Sequence, residues 1–188
     1  MEGRAVRRVF GPPKLVVTCM HTTKEGHSVR ACLQEIQAAK MSRKSTAVEY
    51  EGAPLLLLTV FEEDKDLFYK VIEETGCDDD LADMPGCPFI CAKGGSFVTA
   101  KSFTIYIDSQ PVVHTSSPCQ AFKLVFFAHF AFNVVYRKEA SLCLEFMQRD
   151  IAAVNPGKDT KVQRTKSKQH CLTPKLAALV TALPDYDF

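Results

Sequence analysis

Ala121-Phe122-Lys123-Leu124-Val125-Phe126-Phe127-Ala128-His129-Phe130-Ala131-Phe132-Asn133-Val134-Val135 is apolar on nearly every side of the helix it spells out. Ser116 or Ser117 supplies a capping oxygen and Pro118 brings the fixed φ of a first turn, so the helix begins there. Tyr136-Arg137-Lys138 ends it. A surface helix carries one apolar stripe, whereas a helix without a polar face is predicted to run through the middle of a core. Lys123, His129, Asn133 and the short length weigh against a membrane. No unbroken apolar run of about 18 residues occurs anywhere, so no membrane span is expected.

Working outward, a second helix is predicted from about Glu139 to Val154, with Leu142 and Phe146 on one flank and Cys143, Met147 and Ile151 beside them. Asn155-Pro156 stops it. Pro174 opens a last short helix, Lys175 to Leu183, before Pro184 and the tail Asp185-Tyr186-Asp187-Phe188. Upstream lie three strand candidates, Pro88-Phe89-Ile90-Cys91, Phe103-Thr104-Ile105-Tyr106-Ile107 and Pro111-Val112-Val113-His114. Phe103, Ile105 and Ile107 share one face and Thr104 and Tyr106 the other, the alternation of a half-buried antiparallel strand. Asp108-Ser109-Gln110 makes the tight turn before Pro111. Leu67 to Ile72 reads as extended, because aromatic and β-branched residues suit a pleated surface.

Pro54 precedes Leu55-Leu56-Leu57-Leu58-Thr59-Val60-Phe61, which fits a buried strand or a short buried helix. Glu62-Glu63-Asp64-Lys65-Asp66 then reads as a charged surface turn. Ser28 is placed to cap an amphipathic helix from about 29 to 41, broken by Met41 to Thr46. The predicted fold is α+β: a small antiparallel sheet packed on one face by a buried helix pair, with a shorter C-terminal helix. Residues 1–47 are expected to form a basic N-terminal arm with that one amphipathic helix. Residues 48–188 are expected to form a single α+β domain holding a basic loop at 156–173.

The 188 residues, 46% apolar and 24% charged, are enough for one sizeable core and exclude a wholly disordered or low-complexity chain. A net charge of +1 hides an uneven distribution. Residues 1–50 carry 9 Lys/Arg against 4 Asp/Glu, residues 51–90 carry 2 against 11, and residues 91–188 carry 12 against 7. An acidic middle between basic ends is expected first to fold so that its own charges pair; the functional reading is a basic surface for an acidic partner or nucleic acid. The basic charge is densest at Lys158, Lys161, Arg164, Lys166 and Lys168, opened by the turn chemistry of Asn155-Pro156-Gly157. Such a run suits phosphates, yet it contains no aromatic residue for base stacking, and it reads first as a solvated linker.

Cys19, Cys32, Cys77, Cys87, Cys91, Cys119, Cys143 and Cys171 include no CxxC pair, so the knuckles of a structural zinc site are missing. The start of the chain leads into no apolar signal region, which argues for a reducing compartment and against a disulfide framework. Most of these cysteines therefore read as small core hydrophobes. His129, inside an apolar helix, reads as a hydrogen-bonded core histidine. The pairing of Cys119 with His129 or His114 stands as the nucleophile reading, since members of a catalytic triad need not be neighbours in sequence. Asp78-Asp79-Asp80 lacks the alternate spacing of a calcium loop, and Gly94-Gly95 lacks the frame of a phosphate loop.

Several local motifs recur in one order. They are Pro54-Leu55-Leu56-Leu57-Leu58 before Phe61 and acidic residues, Pro88-Phe89-Ile90, the Ile107-Asp108 turn, and Leu144-Glu145-Phe146-Met147-Gln148-Arg149 followed by Asn155-Pro156-Gly157-Lys158. In these, together with the Pro174-Lys175 helix and the aromatic-acidic end, the chain from about residue 48 resembles the C-terminal region of the sterile alpha motif domain-containing protein 3-like family of animal proteins, abundant in fish. The resemblance implies an α+β module with no catalytic residues to carry over. The first 47 residues depart from the family's pattern. The sterile alpha motif itself, a small helical interaction domain, is missing from the match, so no polymerising role is carried over.

Two functions follow as expectations. The first is an intracellular, cytoplasmic or nuclear, non-enzymatic protein-interaction module with a protein partner, no cofactor and no metal. The alternative is a nucleic-acid-associated domain, of mobile-element origin, contacting phosphates through Lys158, Lys161, Arg164, Lys166 and Lys168.

Overall fold

A computed structural model describes residues 26–45, 47–76, 85–152 and 174–182. Along them run α1 (His27–Arg43), α2 (Ala47–Glu51), α3 (Ala53–Phe61), a 3-10 turn (Lys65–Leu67), β1 (Tyr69–Ile72), β2 (Phe89–Lys93), β3 (Ser102–Ile107) and β4 (Gln110–Thr115). Then come α4 (Pro118–Ala131), a second 3-10 turn (Lys138–Ala140), α5 (Ser141–Phe146) leading into a π-helical turn (Met147–Ile151), and α6 (Pro174–Ala182). The fold is α+β.

The β3–β4 hairpin follows from its turn. Asp108 (φ 48) and Ser109 (φ 61) both take left-handed conformations, the pairing of a type I′ turn whose twist matches that of the strands. The sheet order is β1-β2-β3-β4, with β2–β3 and β3–β4 antiparallel. β1 runs parallel to β2, which makes the sheet mixed rather than wholly antiparallel. Residues 73–88 between them are long enough for the return that a parallel pair requires. Only Tyr69–Ile72 of the predicted extended stretch is strand, because Asp64 Oδ1 accepts from the Asp66 N–H and starts the 3-10 turn before it.

Alternation along the strands sets two faces. Ile90, Ala92, Phe103 and Ile105 join the main core, while Ile72, Cys91 and Tyr106 form a smaller cluster on the opposite face. α4 packs on the first face, against β2, β3 and β4. Of the two candidate caps it is Ser117 whose Oγ accepts from the Gln120 N–H, and Pro118 occupies the first turn as the sequence predicts. The Phe122 ring stacks on Phe68 at 5.4 Å, 12° from parallel.

α4 ends at Ala131, short of the predicted Val135. Asn133 (φ 52) makes the difference: its N–H donates to Phe130 O and that of Val134 to His129 O, the double bond pattern of a Schellman stop. Residues 53–61 resolve as a helix, with Leu55, Leu56, Leu57 and Leu58 all buried, so it is enclosed on every side. α4 packs on α3, and α5 packs on α3 in turn, with Phe61 and Phe146 rings 6.2 Å apart.

α1 begins after Gly26, so Ser28 lies inside the first turn and does not cap it. Its buried stripe Val29, Cys32, Ile36 and Ala39 belongs to the same core as the sheet. The amphipathic helix assigned to the N-terminal arm is thus packed onto residues beyond 47. Lys40–Glu49 and Arg43–Glu51 ion pairs fasten it to α2. Gly52 brings α3 close: a Cβ there would meet Ile36 Cγ1 at 2.6 Å. Gly52→Ala is expected to cost about 1–3 kcal/mol, the scale of overpacking, in urea unfolding. Combined with Ile36→Ala it should cost less than the two single changes added together.

Candidate functional site

The basic residues Lys158, Lys161, Arg164, Lys166 and Lys168 lie outside the described residues, as do Cys19, His21, Cys77, Asp78, Asp79, Asp80 and Cys171. Among the described residues, Cys32, Cys87, Cys91, Cys119 and Cys143 are all free and buried. No group of three or more His, Cys, Asp or Glu there is arranged to hold a metal ion. No helix among them is long and apolar enough to cross a membrane.

The proposed Cys–His pair is not assembled. The Cys119 thiol donates to Tyr50 O at 2.9 Å, and burial pushes it up to about 12, so it stays protonated at neutral pH. His129 is 4% exposed; its Nδ1–H donates to Val125 O at 2.8 Å, and its ring meets Tyr136 edge-on at 5.3 Å. His114 Nδ1 bonds instead to Thr104 Oγ1 at 2.8 Å, across the β3–β4 ladder. Cys143, deep in the core, is pushed up by burial and further by the charge of Glu63. A cavity of about 10 Å³ between Phe68, Cys87, His129, Arg137 and Leu144 has room for about one water molecule.

Two features stand out that the sequence pattern did not mark. The first is a patch where α4 stops. Phe127, Phe132 and Val135 are 57%, 59% and 52% exposed, and Leu124 and Phe130, packed against the main core, are only partly buried. The predicted core helix is therefore buried through Cys119, Ala121, Phe122, Val125, Phe126, Ala128 and His129 but leaves Phe127 open to solvent. Helical periodicity holds no signal for this, because a sequence apolar all round does not say which side is left over.

The second is Glu63. Its two carboxylate oxygens accept the backbone N–H groups of Leu142 and Cys143, the latter at 3.1 Å, at the start of α5. Burial pushes this carboxyl up and the two N–H groups hold it down, with the balance at about 7. In sequence it is one of four acids in five residues, and nothing there separates it from its solvated neighbours.

Compared with family models, with curated proteins and with solved structures, the chain matches none. The assignment of chemistry therefore rests on the residues themselves. Cys119 and Cys143 are expected to react with iodoacetamide at pH 8 at least about a hundredfold more slowly than after denaturation, as their buried, protonated thiols require. Peptide mass spectrometry of time-resolved labelling measures this.

Proposed function

We propose that the chain is an intracellular protein-interaction module without catalytic activity, in keeping with its resemblance to the sterile alpha motif domain-containing protein 3-like family. The observation that supports the reading most is the exposure of Phe127, Phe132 and Val135 around the Asn133 turn. Single exposed apolar residues are ordinary, but two exposed phenylalanines and a valine within nine residues of chain are what a partner's apolar surface buries. Aromatic side chains in such positions dominate binding energies when desolvated. The nearby backbone is fixed by the two bonds that stop α4, so the rings are presented from an ordered turn.

The test is the double variant Phe127→Ser, Phe132→Ser. Its thermal stability should match the wild type to within about 0.5 kcal/mol, since both rings are exposed. Proteins retained by the immobilised wild-type chain from an extract of cells that express it should be retained at least about tenfold more weakly by the variant. An identical set, retained equally by both, defeats this surface as the site.

A further inference from the structure

α4 turns one face away from the core. The residues it leaves exposed or partly exposed are Gln120, Lys123, Leu124, Phe127, Phe130 and Ala131. Their spacing of three and four keeps them in one stripe along the helix axis. Leu124, Phe127, Phe130 and Ala131 make that stripe mainly apolar, the composition of a packed face rather than a solvated one. Phe127 stands in its middle, with its ring 5.4 Å from that of the buried Phe126. Phe126 in turn meets Phe130 edge-on at 5.0 Å. The exposed ring therefore rests on rings anchored in the core.

The charge along this face has one sign. From Ser109 to Lys138 the sequence contains no Asp or Glu, and its cations are Lys123, Arg137 and Lys138. Lys123 lies one turn before Phe127, and Arg137 and Lys138 follow closely on the exposed Val135. None of these cations is ion-paired within the described residues. α4 packs on α2, α3, β2, β3 and β4, whose only carboxylates, Glu49 and Glu51 of α2, are engaged by Lys40 and Arg43.

We propose that this face of α4 receives an amphipathic helix of a different protein, its apolar stripe laid along Leu124, Phe127 and Phe130 and its acidic flank set against Lys123, Arg137 and Lys138. The inference rests on the interaction reading above and names the chemistry of the partner. A helix suits the site because ridges spaced three and four apart are filled by ridges of the same spacing. A second copy of this chain would bring the same three cations to the seam, and like charges across an interface are unfavourable. A lipid surface is held by clusters of about four to eight basic residues, more than this face carries.

The experiment is fluorescence anisotropy of two labelled helical peptides with the full chain. Both peptides carry the same leucine stripe; one has Glu and the other Lys at the remaining positions. At low salt the acidic peptide should bind at least about tenfold more tightly than its twin, and added NaCl should shrink the difference. Lys123→Gln, Arg137→Gln and Lys138→Gln together should remove most of that difference, and Phe127→Ser should weaken the acidic peptide at least about fivefold. Equal affinity for the two peptides, no binding of either, or a preference that survives the Gln changes overturns the proposal. So does a dimer in sedimentation, or binding to phosphatidylserine vesicles, that Phe127→Ser abolishes. Should the Gln variant fold poorly, the salt series on the wild type and Phe127→Ser decide it. Proteins from a cell extract that are lost with Phe127→Ser, Phe132→Ser but kept by the Gln variant overturn this inference and leave the interaction reading standing. Retention that ignores the phenylalanines overturns both.

Discussion

An apolar helix with no polar side needs walls on more than one side, and the fold is arranged around supplying them to α4. The sheet supplies one wall through Ile90, Ala92, Phe103 and Ile105, and α3 supplies the next through its own run of leucines. The Phe68–Phe122 stack sits where the first 3-10 turn delivers the chain into β1, so it couples the helix layer to the sheet edge. Phe97 continues this ring contact along the sheet, 4.4 Å from Tyr69 and 5.4 Å from Phe103. Fully burying one such side chain is worth about 1.5–3 kcal/mol. The aromatic layer therefore outweighs any single surface ion pair, whose value is about 0–1 kcal/mol. The exposed Lys101–Glu74 pair belongs to that weak class.

The same demand explains the order in which the other helices attach. α3 is itself enclosed on every side, so it needs cover where α4 does not reach. α1 brings Val29, Cys32, Ile36 and Ala39, and α5 brings Cys143, Leu144 and Phe146. α1 approaches closely because residue 52 is glycine, and the Lys40–Glu49 and Arg43–Glu51 pairs then fix its rotation against α2. α5 is fixed differently, by a carboxylate on its first N–H groups rather than by charge pairs at the surface. The C-terminal side of the core is thus held to α3 by a side chain bonded to backbone, and the N-terminal side by ion pairs between side chains.

How much of this was legible in the sequence depended on whether the deciding interaction is local. The β3–β4 turn and the Ser117 cap are set within four residues, and both read correctly. The end of α4 is local too, but an asparagine in a left-handed stop looks like any polar residue inside a run of Phe and Val. The strand or helix choice for residues 55–61 was open, because four leucines in succession suit either when every side is buried. The parallel direction of β1 depends on how the chain returns, which no residue pattern records. Of the candidate site, Phe127 and Phe132 read in sequence only as apolar core, because a helix apolar all round does not mark which side its neighbours leave uncovered.

Apolar packing alone would leave these helices free to slide, since one leucine substitutes for another with little loss. What removes that freedom is a small number of buried polar contacts, each with a single geometry. Thr59 Oγ1 and His129 Nδ1 return to carbonyls four residues back, at Leu55 and Val125, and so satisfy themselves within one helix. Tyr136, at 0% exposure, donates to Gln148 on the π-helical turn, where the wider coil replaces a regular α-turn. The Thr59 and Tyr136 contacts carry no group that ionises near neutral pH, since a hydroxyl does not and burial pushes the Tyr136 phenol up. The Glu63 contact shares their function of fixing register but is ionisable and joins segments 79 residues apart. A register fixed in this way ties the end of α3 directly to the start of α5, which no contact closed within a single helix can do.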